Sequence, residues 1–289
     1  MCIIYYVMKQ LSFIRTLAVV LAAAVIAGCG AVPLTGRKQM LLVSDQEVYQ
    51  AGLTQYNEYM KEAEVSSNAK ASAMVKSVGH KLAVATEKYL KANGFEADLA
   101  NLNWEFNLVS DEQVNAFCLP GGKIVVYEGL LTVAHGEAEL AVVLGHEIAH
   151  AVAKHSNERM SQQILAQYGQ AILSQALSNK SEAVQSVGTS VFGLGAQVGL
   201  MLPYSRKHEY EADYMGIVFM EIAGYDSVSA IDFWTKMSSG GTNTNDFLST
   251  HPSDSKRIAE IKRRIPEAKS IAENIRPQKR LIDRSGRLF

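Results

Sequence analysis

Apolar positions along the chain fall into long helical rhythms, interrupted once by a short stretch of alternation. Ser44-Asp45-Gln46-Glu47 has the form of a capping box, so a helix is expected from there to about Ala63. A second should run from about Ala69 to Ala92 and close at Asn93-Gly94. Trp104, Phe106 and Leu108 then alternate with Glu105 and Asn107, the period of a half-buried strand. Asn115 to Gly122 reads as a turn-rich loop feeding another strand, Lys123 to Tyr127. After Gly129 the helical period returns, with Leu140, Val143, Leu144, Ile148, Ala151 and Val152 recurring along one helix. Further helices are expected over 157–202 and from Tyr204 to Ala223. A Gly, Ser, Thr and Asn-rich loop covers Ser238 to Thr250, and a last helix starts at Asp254. The pattern predicts an α+β fold, mainly helical, with a small sheet beside the helix that follows Gly129. No repeat of 20–50 residues marks a solenoid.

That helix carries His146-Glu147-Ile148-Ala149-His150. Residues four apart share a helical face, so the two imidazoles can grip one Zn2+ while Glu147 stands beside them to handle a proton. Zinc of this kind needs a third protein ligand and an open position for water. A metzincin would place that ligand six residues after the second histidine and a glycine three after it. Here Ser156 and Ala153 hold those positions, and His155 is one residue off. The remaining candidate is Ser205-Arg206-Lys207-His208-Glu209-Tyr210-Glu211-Ala212-Asp213. Glu209 and Asp213 share a face from which Glu211 points away. One carboxylate can bind the metal while its neighbour orients a ligand imidazole. Arg206 could pair with a carboxylate near the metal.

The 28 basic and 29 acidic residues give no charge surplus that would suit nucleic acid. The amino terminus adds a different feature. Lys9 and Arg15 precede the apolar run Leu17 to Ile26, followed by Ala27-Gly28-Cys29, the layout of a secretory signal. The cysteine after Ala-Gly resembles a bacterial lipobox, which makes Cys29 a lipidation site. The expected division is a signal peptide over 1–28, a tether over 29–43, a peptidase domain over 44–268 and a basic tail over 269–289. After removal of the signal, Cys118 is the one thiol left for packing, and no internal disulfide can form. Val184 to Leu202 is apolar and uncharged, but its Gln, Ser and four Gly favour a buried or groove-lining helix over a membrane span.

Four pieces occur in order: Asn115-Ala116 with Pro120-Gly121-Gly122, His146 to His150, Ser205-Arg206 with Glu209 to Asp213, and Thr250-His251-Pro252. As a set they resemble the gluzincin metallopeptidase family that holds the CAAX prenyl protease, the membrane protease HtpX and the periplasmic lipoprotein zinc proteases of the LoiP and BepA type. The lipoproteins are the nearest in shape. The resemblance implies one Zn2+ per chain on His146, His150 and Glu209, Glu147 as general base and Asp213 behind a ligand. It also implies His251 near the metal, either stabilising the transition state or closing the open position. The expected activity is endopeptidase cleavage of unfolded or misassembled envelope proteins by a lipid-anchored, periplasm-facing bacterial protein, on the outer membrane rather than the inner. A substrate strand would lie along Lys123 to Tyr127, placing Asn115, Ala116, Gly122, Ile124 and Val126 against it. The rival reading is a chaperone-like or substrate-binding lipoprotein with a structural or latent zinc.

Overall fold

A computed structural model describes residues 29–196, 202–239, 245–251 and 255–275. The expected signal peptide and residues 276–289 of the basic tail lie outside them. Two helices open the body much as their sequences dictate. Helix α1 (Asp45–Glu62) starts on Ser44, and both halves of the capping box with Glu47 are made. Helix α2 (Ala69–Ala92) starts on Asn68, whose side chain accepts from the Ala71 N–H. It buries Val75, Val78, Leu82, Ala85 and Tyr89 along one face, and Gly94 follows it with φ at +80°.

Strands β3 (Glu105–Val109), β4 (Ala116–Leu119) and β5 (Lys123–Tyr127) form one sheet in the order β3-β5-β4. β3 runs parallel to β5, and β4 runs antiparallel to it with Cys118 opposite Ile124. Part of the segment expected as a loop is therefore a strand, because the turn residues Pro120, Gly121 and Gly122 fold Ala116–Leu119 back onto β5. The expected substrate strand, β5, is the central one and has no free edge. Ile124 and Val126 are completely buried in it, which removes them from contact with a peptide.

Helix α3 (Gly136–Val152) carries the two histidines through the core, and α4 (His155–Leu177) follows after Lys154 takes a left-handed turn at φ +54°. Helix α5 (Glu182–Ala196) packs back on α4, and α6 (Leu202–Ala223) packs on α3. The α3–α6 crossing is close because two glycines meet there. A Cβ built on Gly216 would lie 3.0 Å from the Gly145 carbonyl carbon and the His146 nitrogen. Helices α7 (Ser229–Ser239), α8 (Asn245–Thr250) and α9 (Ser255–Ile275) complete the described chain, with α9 against α6.

Three other expectations change. Val184, Val187 and Val191 of α5 stand exposed, not in a groove or the core, and among the described residues no helix is long and apolar enough to cross a membrane. The loop expected over Ser238 to Thr250 contains α8, and α7 precedes it. The segment expected as a tether forms a hairpin, β1 (Cys29–Ala31) with β2 (Lys38–Met40), seated on the body through the fully buried Val32.

Candidate active site

Helix α3 brings His146 and His150 to one face, α6 brings Glu209 and Asp213, and the residue after α8 is His251. All five are buried. His146 Nε2 lies 3.0 Å from His150 Nε2, 3.1 Å from His251 Nδ1 and 3.2 Å from Glu209 Oε2. Glu209 Oε2 is also 3.0 Å from His251 Nδ1, and Glu209 Oε1 is 3.4 Å from His150 Nε2. One ring nitrogen carries at most one proton, so Nε2 of His146 cannot satisfy three such neighbours by hydrogen bonds. A cation at the centre can. Zinc bonds of 2.0–2.1 Å in a tetrahedron separate the donors by about 3.3 Å, close to the spacing seen here. His146, His150, Glu209 and His251 are the metal-capable group among the described residues, each offering one atom within 4.8 Å of the others. The nitrogen and carboxylate donors fit Zn2+, and zinc is the cofactor of this site.

Protons on the bare cluster respond to the same crowding. Burial works against the charge on His146, but Asp213 and Glu209 hold its pKa up to about 9. Burial and the neighbouring His146 push His150 down to about 3. Glu209 is buried too, yet the three imidazoles hold its carboxyl far below the usual range. Burial pushes Glu147 above its ordinary value. Its Oε1 is shielded from solvent without a hydrogen-bond partner, His251 Nε2 lying 3.4 Å away. A buried carboxylate oxygen left in that state invites a water or a substrate N–H.

Around these residues lies a shell of which the sequence disclosed Asp213 and not its partners. Asp213 Oδ1 accepts from His146 Nδ1 at 3.0 Å. Arg257 of α9, fully buried, donates through Nη2 to the same oxygen at 2.8 Å and through Nε to Oδ2. Its guanidinium carbon lies over Trp234 of α7, 3.5 Å from the ring centroid, and Nη1 donates to the His251 carbonyl. Arg257 is thus the arginine at the site; Arg206, the sequence candidate, is exposed on α6. Nothing in the sequence singled out Arg257, one of several basic residues along the last helix. Glu211 turns away from the cluster, towards His155, Thr35 and Arg37.

The free edge beside the cluster belongs to β4. The Asn115 carbonyl accepts from the Tyr127 N–H, so alternate residues Ala116 and Cys118 turn their backbone groups outward. The Ala116 N–H is taken by the Asn115 side chain at 2.9 Å, and the Cys118 N–H lies against the Glu147 carboxylate. Gly122 is buried beneath Trp104, where a Cβ would meet the indole at 2.5 Å, so its part is packing. A cleft leads from His150 and Cys118 to Val48, Tyr49 and Leu102. Desolvation and the Glu147 carboxylate push the Cys118 thiol well above its usual range, which suits a packing residue and not a nucleophile.

A family model described as Peptidase family M48 matches residues 69–265. The chain belongs to peptidase family M48. Among curated relatives of this M48 chain, a mitochondrial metalloendopeptidase OMA1 of Arabidopsis thaliana is 40% identical over 172 residues, covering 59% of this chain and 33% of the relative. The OMA1 of Schizosaccharomyces pombe is 37% identical over 180 residues, 59% of this chain and 49% of the relative. A beta-barrel assembly-enhancing protease of Yersinia pestis is 31% identical over 172 residues, 57% of this chain and 35% of the relative. The chain therefore spans a third to a half of the length of these relatives. The matches correct the expected location: the two relatives at 37–40% identity are mitochondrial enzymes by name, while the bacterial one stands lower.

Proposed function

We propose that the chain is a zinc-dependent endopeptidase that cuts extended segments of unfolded or misassembled proteins. One observation carries this reading: a metal-capable donor set stands beside a buried carboxylate, Glu147, with an unsatisfied oxygen. In this reading His146, His150 and Glu209 hold the metal. Zinc there supplies a Lewis acid and lowers the pKa of a water from 15.7 to about 7. Glu147 takes the proton of the attacking water at Oε1 and passes it to the leaving amine, a task its raised pKa favours. Asp213 keeps His146 in the tautomer that leaves Nε2 free, and Arg257 keeps Asp213 ionised.

With His251 as the fourth protein donor, a tetrahedral set would be full and would leave no position for an exchangeable ligand. The described arrangement is then the closed one. In an open state, with three protein donors holding the metal, His251 would be free to donate to the oxyanion. The substrate main chain adds to the outward carbonyls of β4 at Ala116 and Cys118, whose N–H groups are held by Asn115 and Glu147, with side chains towards the cleft at Val48 and Tyr49. Main-chain pairing accepts many sequences but requires an extended one, which supports non-native proteins as clients. The peptidase body of this reading spans 44–268 with the β1–β2 hairpin added to it.

The rival, a binding module with structural zinc, gains from the same four-donor set, since closed sites are the structural kind. Casein digestion by zinc-loaded wild type and Glu147→Gln separates the two. The peptidase reading expects cleavage that falls at least about a hundredfold in the variant at equal zinc content. A zinc-loaded wild type without cleavage leaves the binding module.

A further inference from the structure

We propose that His155 is the positioning residue for the ligand His150, and that Arg37 of the β1–β2 hairpin holds it in place through Glu211. The inference rests on the zinc reading above. Both ligand histidines need a fixed tautomer, with Nδ1 protonated so that Nε2 is free for the metal. His146 achieves this against Asp213, which Arg257 backs. His150 Nδ1 meets a second imidazole instead, His155 Nδ1, at 2.8 Å.

The proton inventory closes in one direction only. If His150 Nδ1–H donates, His155 accepts at Nδ1 and must carry its own proton on Nε2. That nitrogen lies 3.0 Å from Glu211 Oε2, a pure acceptor. Glu211 in turn takes the Arg37 Nε–H at 2.8 Å and the Thr35 hydroxyl. The remaining arginine nitrogens donate to Glu158 at 2.9 and 2.7 Å, and Glu158 Oε2 also takes His208 Nε2–H at 2.9 Å. The His208 ring stacks on His155 with centroids 4.1 Å apart and planes 14° from parallel. His155 is thus fixed at its edges by hydrogen bonds and on one face by a ring, and it is fully buried. A neutral His155 with one defined tautomer satisfies every contact.

The two ligand histidines are therefore backed by parallel devices. His146 leans on carboxylate and arginine directly, and His150 does so through one added imidazole. The second arginine comes from residues 29–43, outside the 69–265 family match. The hairpin is by this account part of the zinc site's support.

Zinc affinity by chelator competition tests it, with the visible spectrum of the Co2+-substituted protein as a second readout. His155→Phe keeps the stacked ring but cannot accept from His150; its zinc affinity is expected to fall about 10–100-fold, with a changed cobalt spectrum. His155→Gln offers an acceptor and a donor and should retain most of the affinity. Arg37→Ala, at a partly exposed position that leaves the core intact, should weaken zinc about tenfold. Unchanged affinity and spectrum in Arg37→Ala and His155→Phe would overturn the proposal, as would equal losses in His155→Phe and His155→Gln, which indicate packing alone. A wild type that binds no zinc would instead refute the underlying reading.

Discussion

Arg257→Met is the most informative single change to the metal site's surroundings. The methionine stem can still lie on Trp234, so the variant removes the charge and the donors while filling much of the space. What remains is Asp213, buried, with its guanidinium partner gone and the His146 imidazole, 3.0 Å away, as the one cation left to face it. Removing one partner of a buried ion pair costs about 3–5 kcal/mol, because the other charge stays out of water unpaired. Loss of the cation–ring contact adds up to about 2 kcal/mol when desolvated, part of which the thioether returns. A loss of about 3–5 kcal/mol at pH 7 is therefore expected in urea unfolding of the metal-free protein. The sign with pH follows from Asp213. Though burial opposes its charge, Arg257 holds its pKa below the ordinary 3.8, so the pair contributes stability above that value and loses it as pH falls through the lower folded pKa. The gap between wild type and variant should be full at pH 7 and close in acid. Asp213→Asn added to Arg257→Met removes the stranded charge and should recover part of the loss. A single variant within about 1 kcal/mol of wild type, or a double variant losing the sum of both, would refute the reasoning.

Four further outcomes follow. Glu147→Gln should retain zinc and lose at least about a hundredfold in peptidase rate, read by casein digestion with metal analysis. Glu209→Ala should abolish tight zinc binding in chelator competition, whereas Glu211→Ala, one imidazole further from the metal, should weaken it by only about 10–100-fold; equal losses would show that the wrong carboxylate was assigned. His251→Ala should raise activity on unfolded casein if closure dominates, or lower it by about 10²–10³ if donation to the oxyanion dominates; no change in rate removes His251 from the site chemistry. Because burial raises the Glu147 pKa, the acid limb of kcat/KM should lie above pH 4.5, the ordinary carboxyl value. A limb at or below it would show that a different group titrates.

The helices were legible because capping chemistry and the 3.6-residue period are local. Ser44 with Glu47, and Asn93-Gly94, marked their helix ends within a residue or two. The pairing of β4 was not legible, since four residues between turn signals carry no period of their own and are ordered by β5 alone. Glu209, Glu211 and Asp213 sorted onto their faces because helical spacing alone separates them. Arg257, His155 and Arg37 were out of reach for a different reason. Each gains its meaning from a partner 44 to 174 residues away, and a charge in a polar run looks the same in sequence whether it is solvated or buried. Trp234 passed unremarked because an aromatic at helical spacing is ordinarily core, and only its stack under Arg257 gives it a place at the site.

The glycine contact between α3 and α6 works as a caliper. His146 follows Gly145 directly, and Glu209 lies seven residues before Gly216, so the gap between the two backbones fixes the span from imidazole to carboxylate. A methyl on Gly216 would force the helices apart by a few tenths of an ångström, while a zinc cage tolerates about 0.2 Å. Alanine at that position would exchange a zinc-sized cage for a looser one that favours a larger ion, with every ligand still in place. Selectivity among metals is in this sense stored in two residues that have no side chain and never touch the metal.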